Sequence, residues 1–330
     1  MLIYTVTATA QQKELNDKVT ANEIVQRAID NAGGDEKLKA VKSAEFMSQI
    51  VMNNRDTLYI SVKRKGTDKY YTSVLSFGYD NTTTVFNRGK AVLIKNDTAV
   101  RITDPVKLEE LALRCYPSNE YGYKKLGYKL SRTDDHQFTN FDCYGIIVES
   151  PLGYKTLNYY DKATGNCIMI MYPSGGKTIF RRFLPYQGLL YGNDLLLKDA
   201  NGTVSTSVLT DIEIDKNTDD NWFNLLPAGD CRPPAIFKTG HFRYVTGNDL
   251  TATSVREGNK LVEGNTEYTI EWLSDSDYLL YRLKYATAPP INENIELFKV
   301  RITSWIGNRY YCQYITTANQ AGTCAFEKIK

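Results

Sequence analysis

Histidine is almost missing from this chain: two residues, His136 and His241, in 330. No C-x-x-C, H-E-x-x-H or G-x-S-x-G pattern occurs either. Together these shortages remove the usual side chains of a zinc site, a thioredoxin-type redox centre and a nucleophile–base pair. His136 sits in Thr133-Asp134-Asp135-His136, which reads as a polar turn. His241 falls on the polar parity of a strand beside Phe242 and Tyr244, a surface position. Gly175-Gly176-Lys177-Thr178 lacks the first glycine of a phosphate loop and precedes a strand, so it reads as a β-turn. Asp219-Asp220 and Glu109-Glu110 read as solvated surface. The composition thus favours a protein that is not an enzyme and needs no cofactor or metal.

Charge of one sign is also lacking. Forty basic residues face 38 acidic ones, for a formal charge of +2. That balance offers no basic footprint for nucleic acid. No apolar run approaches the roughly 18 residues of a transmembrane helix, so no transmembrane segment is expected. The start is the one apolar stretch with a distinct signature. Met1 to Ala10 ends in Ala8-Thr9-Ala10, like the tail of a signal peptide before its cut, with an ordered first strand as the alternative. The signal reading places the protein outside the cytoplasm.

What is plentiful is tyrosine, 24 residues against 12 Phe, with a 42% hydrophobic content that can build a core. Thr20 and Glu23 form a capping box before Ile24, Val25, Ala28, Ile29 and Ala32, and Gly33-Gly34 closes that helix. A short second helix is predicted over 35–41. The period then becomes two. Phe46, Ile50 and Met52 share a parity, as do Leu58, Ile60 and Val62, then Val92 and Ile94. This is the pattern of half-buried antiparallel strands. Asp104-Pro105 opens another helix, with Val106, Leu108, Leu111 and Leu113 on its apolar side and Pro117 after its end. Strands are predicted at 143–149, 154–160, 167–172, 177–184 and 203–215. The Pro- and Gly-rich stretch 227–234 is the best boundary. Beyond it, six to eight short strands and no helix are expected, as in a small barrel or sandwich. The division is therefore 1–10 signal remnant, 11–230 first domain and 231–330 second domain. The fold class is mainly β (α+β): a curved antiparallel half-barrel sheet covered by short helices, plus a small all-β barrel or sandwich.

Of six cysteines, Cys312 and Cys324 flank a loop between adjacent antiparallel strands and are candidates for a cross-strand disulfide. Cys143, Tyr160 and Cys167 would fall in one row across three strands. That puts the two thiols two strand spacings apart, roughly 9–10 Å and out of bonding reach. Cys115 and Cys231 have no evident partner.

The order of elements and several phrases resemble the LolA/LolB-like outer-membrane lipoprotein carrier family over residues ~20–227. The phrases are TANEIVQRAIDNAGGDEKLKAVKS, LEELALRCYP, YYDKATGNCIMI and DDNWFNLLP. Residues ~231–330, through CRPPAIFKTGHFRYV and TEYTIEWLSDSDYLLYRL, are similar to small lipocalin-like β domains. The resemblance implies an exported periplasmic protein of a Gram-negative envelope, holding a lipid or lipoprotein acyl chain between sheet and helices, as a carrier does. From the residues themselves, a sheet with one apolar face must cover it. If the helices do so incompletely, Phe46, Ile50, Leu58, Ile60, Val92, Ile94, Ile146 and Val148 line an apolar groove. Ordinary packed core is the alternative for the same residues. A non-catalytic structural or interaction module with an envelope protein partner is the alternative function.

Overall fold

A computed structural model of the chain describes residues 19–52, 56–78, 81–246, 251–283 and 295–330. The Met1–Ala10 segment lies outside the described residues. The fold is mainly β, as the alternating sequence demands. The chain divides into two compact units, one of residues up to Val41 with Tyr116–Ser207, the other Lys42–Cys115 with Val208–Lys330. These units cut across the sequential 11–230 and 231–330 division.

In the first unit, α1 (Ala21–Asn31) begins at the capping box, with Thr20 N–H donating to Glu23 Oε2 at 2.7 Å and Glu23 N–H to Thr20 Oγ1 at 3.2 Å. Its apolar positions Ile24, Val25, Ala28 and Ile29 are buried. Arg27 donates to the carbonyls of Lys162 and Ala163 at 3.0 and 2.9 Å, tying the helix to a strand turn. α2 (Gly34–Ala40) follows, and α4 (Asn119–Leu126) comes after the excursion through the other unit. Six antiparallel strands complete the unit: β7 (Lys129–Phe138), β8 (Phe141–Glu149), β9 (Lys155–Asp161), β10 (Cys167–Met171), β11 (Lys177–Tyr186) and β12 (Leu189–Lys198). Sequence reasoning missed α4, β7 and β12. His136 lies within β7, not in a turn. The polar run Ser131–Gln137 looks like a loop because this strand keeps five of those seven side chains exposed and the other two half-buried, leaving no apolar parity to read.

In the second unit, β1 (Ser43–Val51), β2 (Thr57–Lys65), β3 (Lys69–Leu75), β4 (Thr82–Asn87), β5 (Lys90–Lys95) and β6 (Thr98–Ile102) run as a meander, with short β14 (Gly229–Asp230) beside β6. β13 (Val204–Ile214), which belongs to this unit from Val208 on, flanks β1 on the other side. Helix α3 (Pro105–Arg114) starts where Asp104 accepts from Val106 N–H. It lays Leu108, Leu111 and the following Cys115 on Tyr70, Phe86 and Ala91. β15 (Gly240–Tyr244), β16 (Thr253–Glu257), β17 (Lys260–Glu263), β18 (Thr266–Trp272), β19 (Asp277–Leu283), β20 (Ile295–Ile306), β21 (Arg309–Thr316) and β22 (Ala321–Lys328) close into an eight-stranded barrel, β22 pairing with β15. One 3-10 turn, Ala235–Phe237, precedes the barrel where no helix was expected.

The barrel sits on the face of the β1–β6 sheet opposite α3. Ile315 packs with Tyr59 and Leu75. Tyr311 and Ala325 pack with Tyr71, Val85, Trp222 and Phe223. Trp222, on a second 3-10 turn (Asp220–Phe223), meets Tyr71 and Tyr311 edge-on at 5.2 and 5.0 Å. Covering this face explains the burial of β2: Tyr59, Ser61 and Lys63 are buried, whereas Leu58, Ile60 and Val62 are only half-buried. The parity that looks polar in sequence is the more enclosed one.

Candidate ligand cavity

The barrel holds a cavity of about 450 Å³ that is partly open to solvent. The strand register sets its lining. Ser254 stands opposite both Phe242 and Glu263, Leu261 opposite Tyr268, and Leu280 opposite both Ile270 and Phe298, so alternate residues of each strand point inward. Toward one end the interior is packed by Phe237, Phe242, Ile302 and Tyr310. Away from it the wall is aromatic and looser, with Tyr268 edge-on to Phe298 at 5.8 Å and Phe298 at 6.3 Å from Tyr314.

Polar side chains are interspersed with this surface: Thr246, Ser254, Arg256, Glu263, Gln320 and Thr323 line it beside the tyrosines. Arg256, 1% exposed, lines the cavity from the packed side. It donates to Phe237 O at 2.8 Å, to Tyr278 Oη at 3.0 Å and to Tyr310 Oη. Its guanidinium lies 4.7 Å from the Phe242 ring and 5.1 Å from that of Tyr278, a cation held by π faces. Glu263 also lines the cavity and shares a hydrogen bond with Tyr244, whose phenol is pushed up from its ordinary value by burial and by that carboxylate. Burial likewise holds the Tyr310 phenol well above its usual range. Nothing in the sequence singles out Arg256. It reads as an alternating surface charge, and only barrel closure turns its parity inward.

The eight predicted groove residues do not converge on one surface. Phe46 pairs with Val62, Ile50 with Leu58 and Ser48 with Ile60, which places Phe46, Ile50, Leu58 and Ile60 on the α3 side of the sheet. All four are half-buried. Val92 pairs with Val85, and Ile94 with Thr83; both lie on the opposite side, packed with Leu226 and Cys231 under the barrel's Trp305. Ile146 and Val148 belong to the first unit and are fully buried core.

Cys312 and Cys324 form a disulfide with a Cα–Cα separation of 5.2 Å. Cys324 also lines the cavity. The other four cysteines are free and buried. Cys143 and Cys167 are unpaired, but the single row predicted for them is shifted: Tyr160 faces Cys167 and Tyr144, while Cys143 faces Asp161. Burial pushes the Cys115 thiol up to about 12 and the Cys231 thiol up to about 11, so both are unreactive. His136 is exposed against Phe138 at 4.3 Å, and His241 is exposed on β15. The Gly175 region is a turn leading into β11. Among the described residues, no group of three or more His, Cys, Asp and Glu could hold a metal ion, and no helix is long and apolar enough to cross a membrane.

No family model and no curated protein matches the chain. Solved structures do. An outer membrane lipoprotein-sorting protein domain from Vibrio parahaemolyticus is 14% identical, covering 62% of this chain and 96% of that one, with a TM-score of 0.45. A LolA superfamily protein from Nitrosomonas europaea is 13% identical over 62% of this chain and 98% of that one, with a TM-score of 0.46. MucB from Pseudomonas aeruginosa, solved with MucA, is 11% identical over 93% of this chain and 92% of that one, with a TM-score of 0.24. The chain is thus similar to LolA-superfamily structures, at identities that leave function to be read from its own geometry.

Proposed function

We propose that this protein is a non-catalytic binder, acting as a carrier or reservoir, of an apolar-chain ligand of the lipid class at a bacterial cell envelope. The barrel cavity carries the reading. Its volume of about 450 Å³ falls within the range of small-ligand sites, and its wall sets aromatic and aliphatic side chains beside several polar ones. Each methylene moved from water into such a surface contributes about 0.8 kcal/mol, so a short acyl chain suffices for useful affinity. The half-buried patch of Phe46, Ile50, Leu58 and Ile60 is a second place where an acyl chain could lie, and the two are separable by mutation. Val92, Ile94, Ile146 and Val148 do not join that patch, since each is enclosed elsewhere.

An exported location fits the Cys312–Cys324 disulfide, a bond that persists in oxidising compartments. A non-catalytic role is supported by the burial of the free thiols, which holds them protonated, including Cys143, the cross-strand neighbour of His136. Native mass spectrometry of protein extracted under mild conditions, with titration by a fluorescent fatty acid, tests the reading. A co-purified lipid or saturable uptake is expected. Neither lipid nor uptake would overturn it and leave an interaction module of the envelope as the working alternative.

A further inference from the structure

We infer that the barrel cavity selects a ligand with a single anionic head, of the monocarboxylate class, and that Arg256 is the residue that receives the head. This rests on the binding function proposed above and adds to it the chemistry of the ligand's polar end.

Two of the buried cations of this unit have a carboxylate partner, while a third, Lys299, donates to the Ser76 carbonyl. Lys63 is paired with Glu45, and Arg301 with Asp277 at 2.8 Å. Arg256 is as deeply enclosed as either, yet its three hydrogen bonds go to a carbonyl and two phenols. Among the described residues no carboxylate joins them. A buried charge without a counter-charge is costly in a protein interior, and an anion brought to it removes that cost.

The donors left over point the same way. Arg256 Nε has no partner, and neither do Ser254 Oγ and Thr246 Oγ1, all three on residues that line the cavity. The two phenols accept from Arg256, so each still has its own proton to donate. Tyr310 and Tyr278 share a hydrogen bond, which uses one of those protons and leaves the other. A guanidinium N–H and a phenol O–H on one wall make a fitting pair for the two oxygens of a carboxylate. From there the ligand's chain would run along Leu280, Phe298 and Val300 toward the looser end.

Among the described residues, Glu263 is the one carboxylate in the cavity lining, and it opposes an anion. It is bound to the Tyr244 hydroxyl and stands opposite Ser254, one inward step from Arg256 along β16. The proposal therefore predicts opposite effects of the two charges: removing Arg256 weakens binding of the anion, and removing Glu263 strengthens it.

The first measurement needs no variant. Dodecanoate, methyl dodecanoate and dodecanol are titrated into the whole protein, read by calorimetry and by the fluorescence of Trp272, whose ring is 4.7 Å from Tyr278. Dodecanoate is expected to bind about ten- to a hundredfold more tightly than either neutral analogue, the worth of one charge-assisted hydrogen-bonded contact. Equal binding of all three overturns the anionic head while the lipid-binding function stands. No binding of any of them overturns both. Arg256→Gln is then expected to erase the preference for the acid, and Glu263→Gln to tighten dodecanoate without affecting the ester. Because Arg256→Gln also removes bonds to Phe237 and Tyr310 and can unfold the barrel, Glu263→Gln is the deciding variant. Unchanged or weaker dodecanoate binding there, with the ester unaffected, overturns the assignment.

Discussion

Lys63 on β2 and Glu45 on β1 form an ion pair on the sheet face that the barrel covers, and the same ammonium donates to Thr323 of the barrel at 3.1 Å. The Lys63 side chain is 3% exposed and that of Glu45 14%. One charged pair thus helps hold the two β-layers of this unit together. Lys63 also lies 4.5 Å from the Trp222 ring.

Removing only one charge should be worse than removing both. Lys63→Met takes the ion-pair partner from the half-buried Glu45, and is expected to lose about 3 kcal/mol of unfolding free energy. The Lys63→Met, Glu45→Gln double variant is expected to recover a large part of that loss. Urea denaturation of the two single variants and the double variant gives the coupling directly. Additive losses would mean that the pair does not act as a unit.

Two half-buried carboxyls should respond to pH in opposite ways. Burial pushes Glu45 up, but Lys63 beside it and the Thr218 hydroxyl outweigh burial and hold the carboxyl below its usual 4.5. Its contribution is therefore present at neutral pH and lost as pH falls through the folded-state value. Glu120 is the reverse case. Burial pushes it above 4.5, and the Tyr160 hydroxyl donating at 3.4 Å offsets only part of that. Its contribution is favourable below the unfolded-state value and is lost as pH rises through the folded one. Glu120→Gln is thus expected to stabilise at pH near 7 and to lose that advantage in acid, whereas Glu45→Gln costs most near neutrality. Chemical denaturation repeated across the acid range checks both signs.

The barrel should not stand alone, although its sequence looks like a separate domain. A fragment cut at Cys231 would expose Tyr311, Ile315 and Ala325, which the intact chain covers with Tyr59, Tyr71, Leu75 and Trp222. It would also strand Lys299, which donates to Ser76 O, and separate Asp277 from Asn81. Expressed by itself, residues 231–330 are expected to aggregate or to melt well below the full chain. A soluble fragment with the barrel's full stability would contradict this packing.

These relationships set the limit of what the sequence could show. The capping box, the Asp104-Pro105 helix start, the strands around Phe46, Leu58 and Val92, those at 143–149, 154–160 and 167–172, and the disulfide were legible, because each is signalled by residues close in sequence or by a simple period. The site was not. Leu58, Ile60 and Val62 look like the buried side of β2 and Ser61 and Lys63 like its wet side, yet the barrel covers the second set. Val92 and Ile94 have the same alternation as Phe46 and Ile50 but point the other way, and periodicity assigns a parity without saying which layer it meets. Arg256 has a parity that only ring closure turns inward. β7 carries no apolar face at all.

Two substitutions separate the apolar places where a lipid could lie. Leu280→Trp fills the barrel cavity from β19, and Ile60→Glu places a charge in the half-buried patch beside α3. If the cavity is the site, Leu280→Trp is expected to weaken fatty-acid uptake by at least about tenfold, the effect of about 1.4 kcal/mol, while Ile60→Glu binds as the unaltered chain does. The opposite result would move the site to the patch of Phe46, Ile50, Leu58 and Ile60. Both side chains are half-buried, so a single cooperative unfolding transition has to be confirmed for each variant before binding is compared. With folding intact, the ligand's location is decided by which of the two mutations it feels.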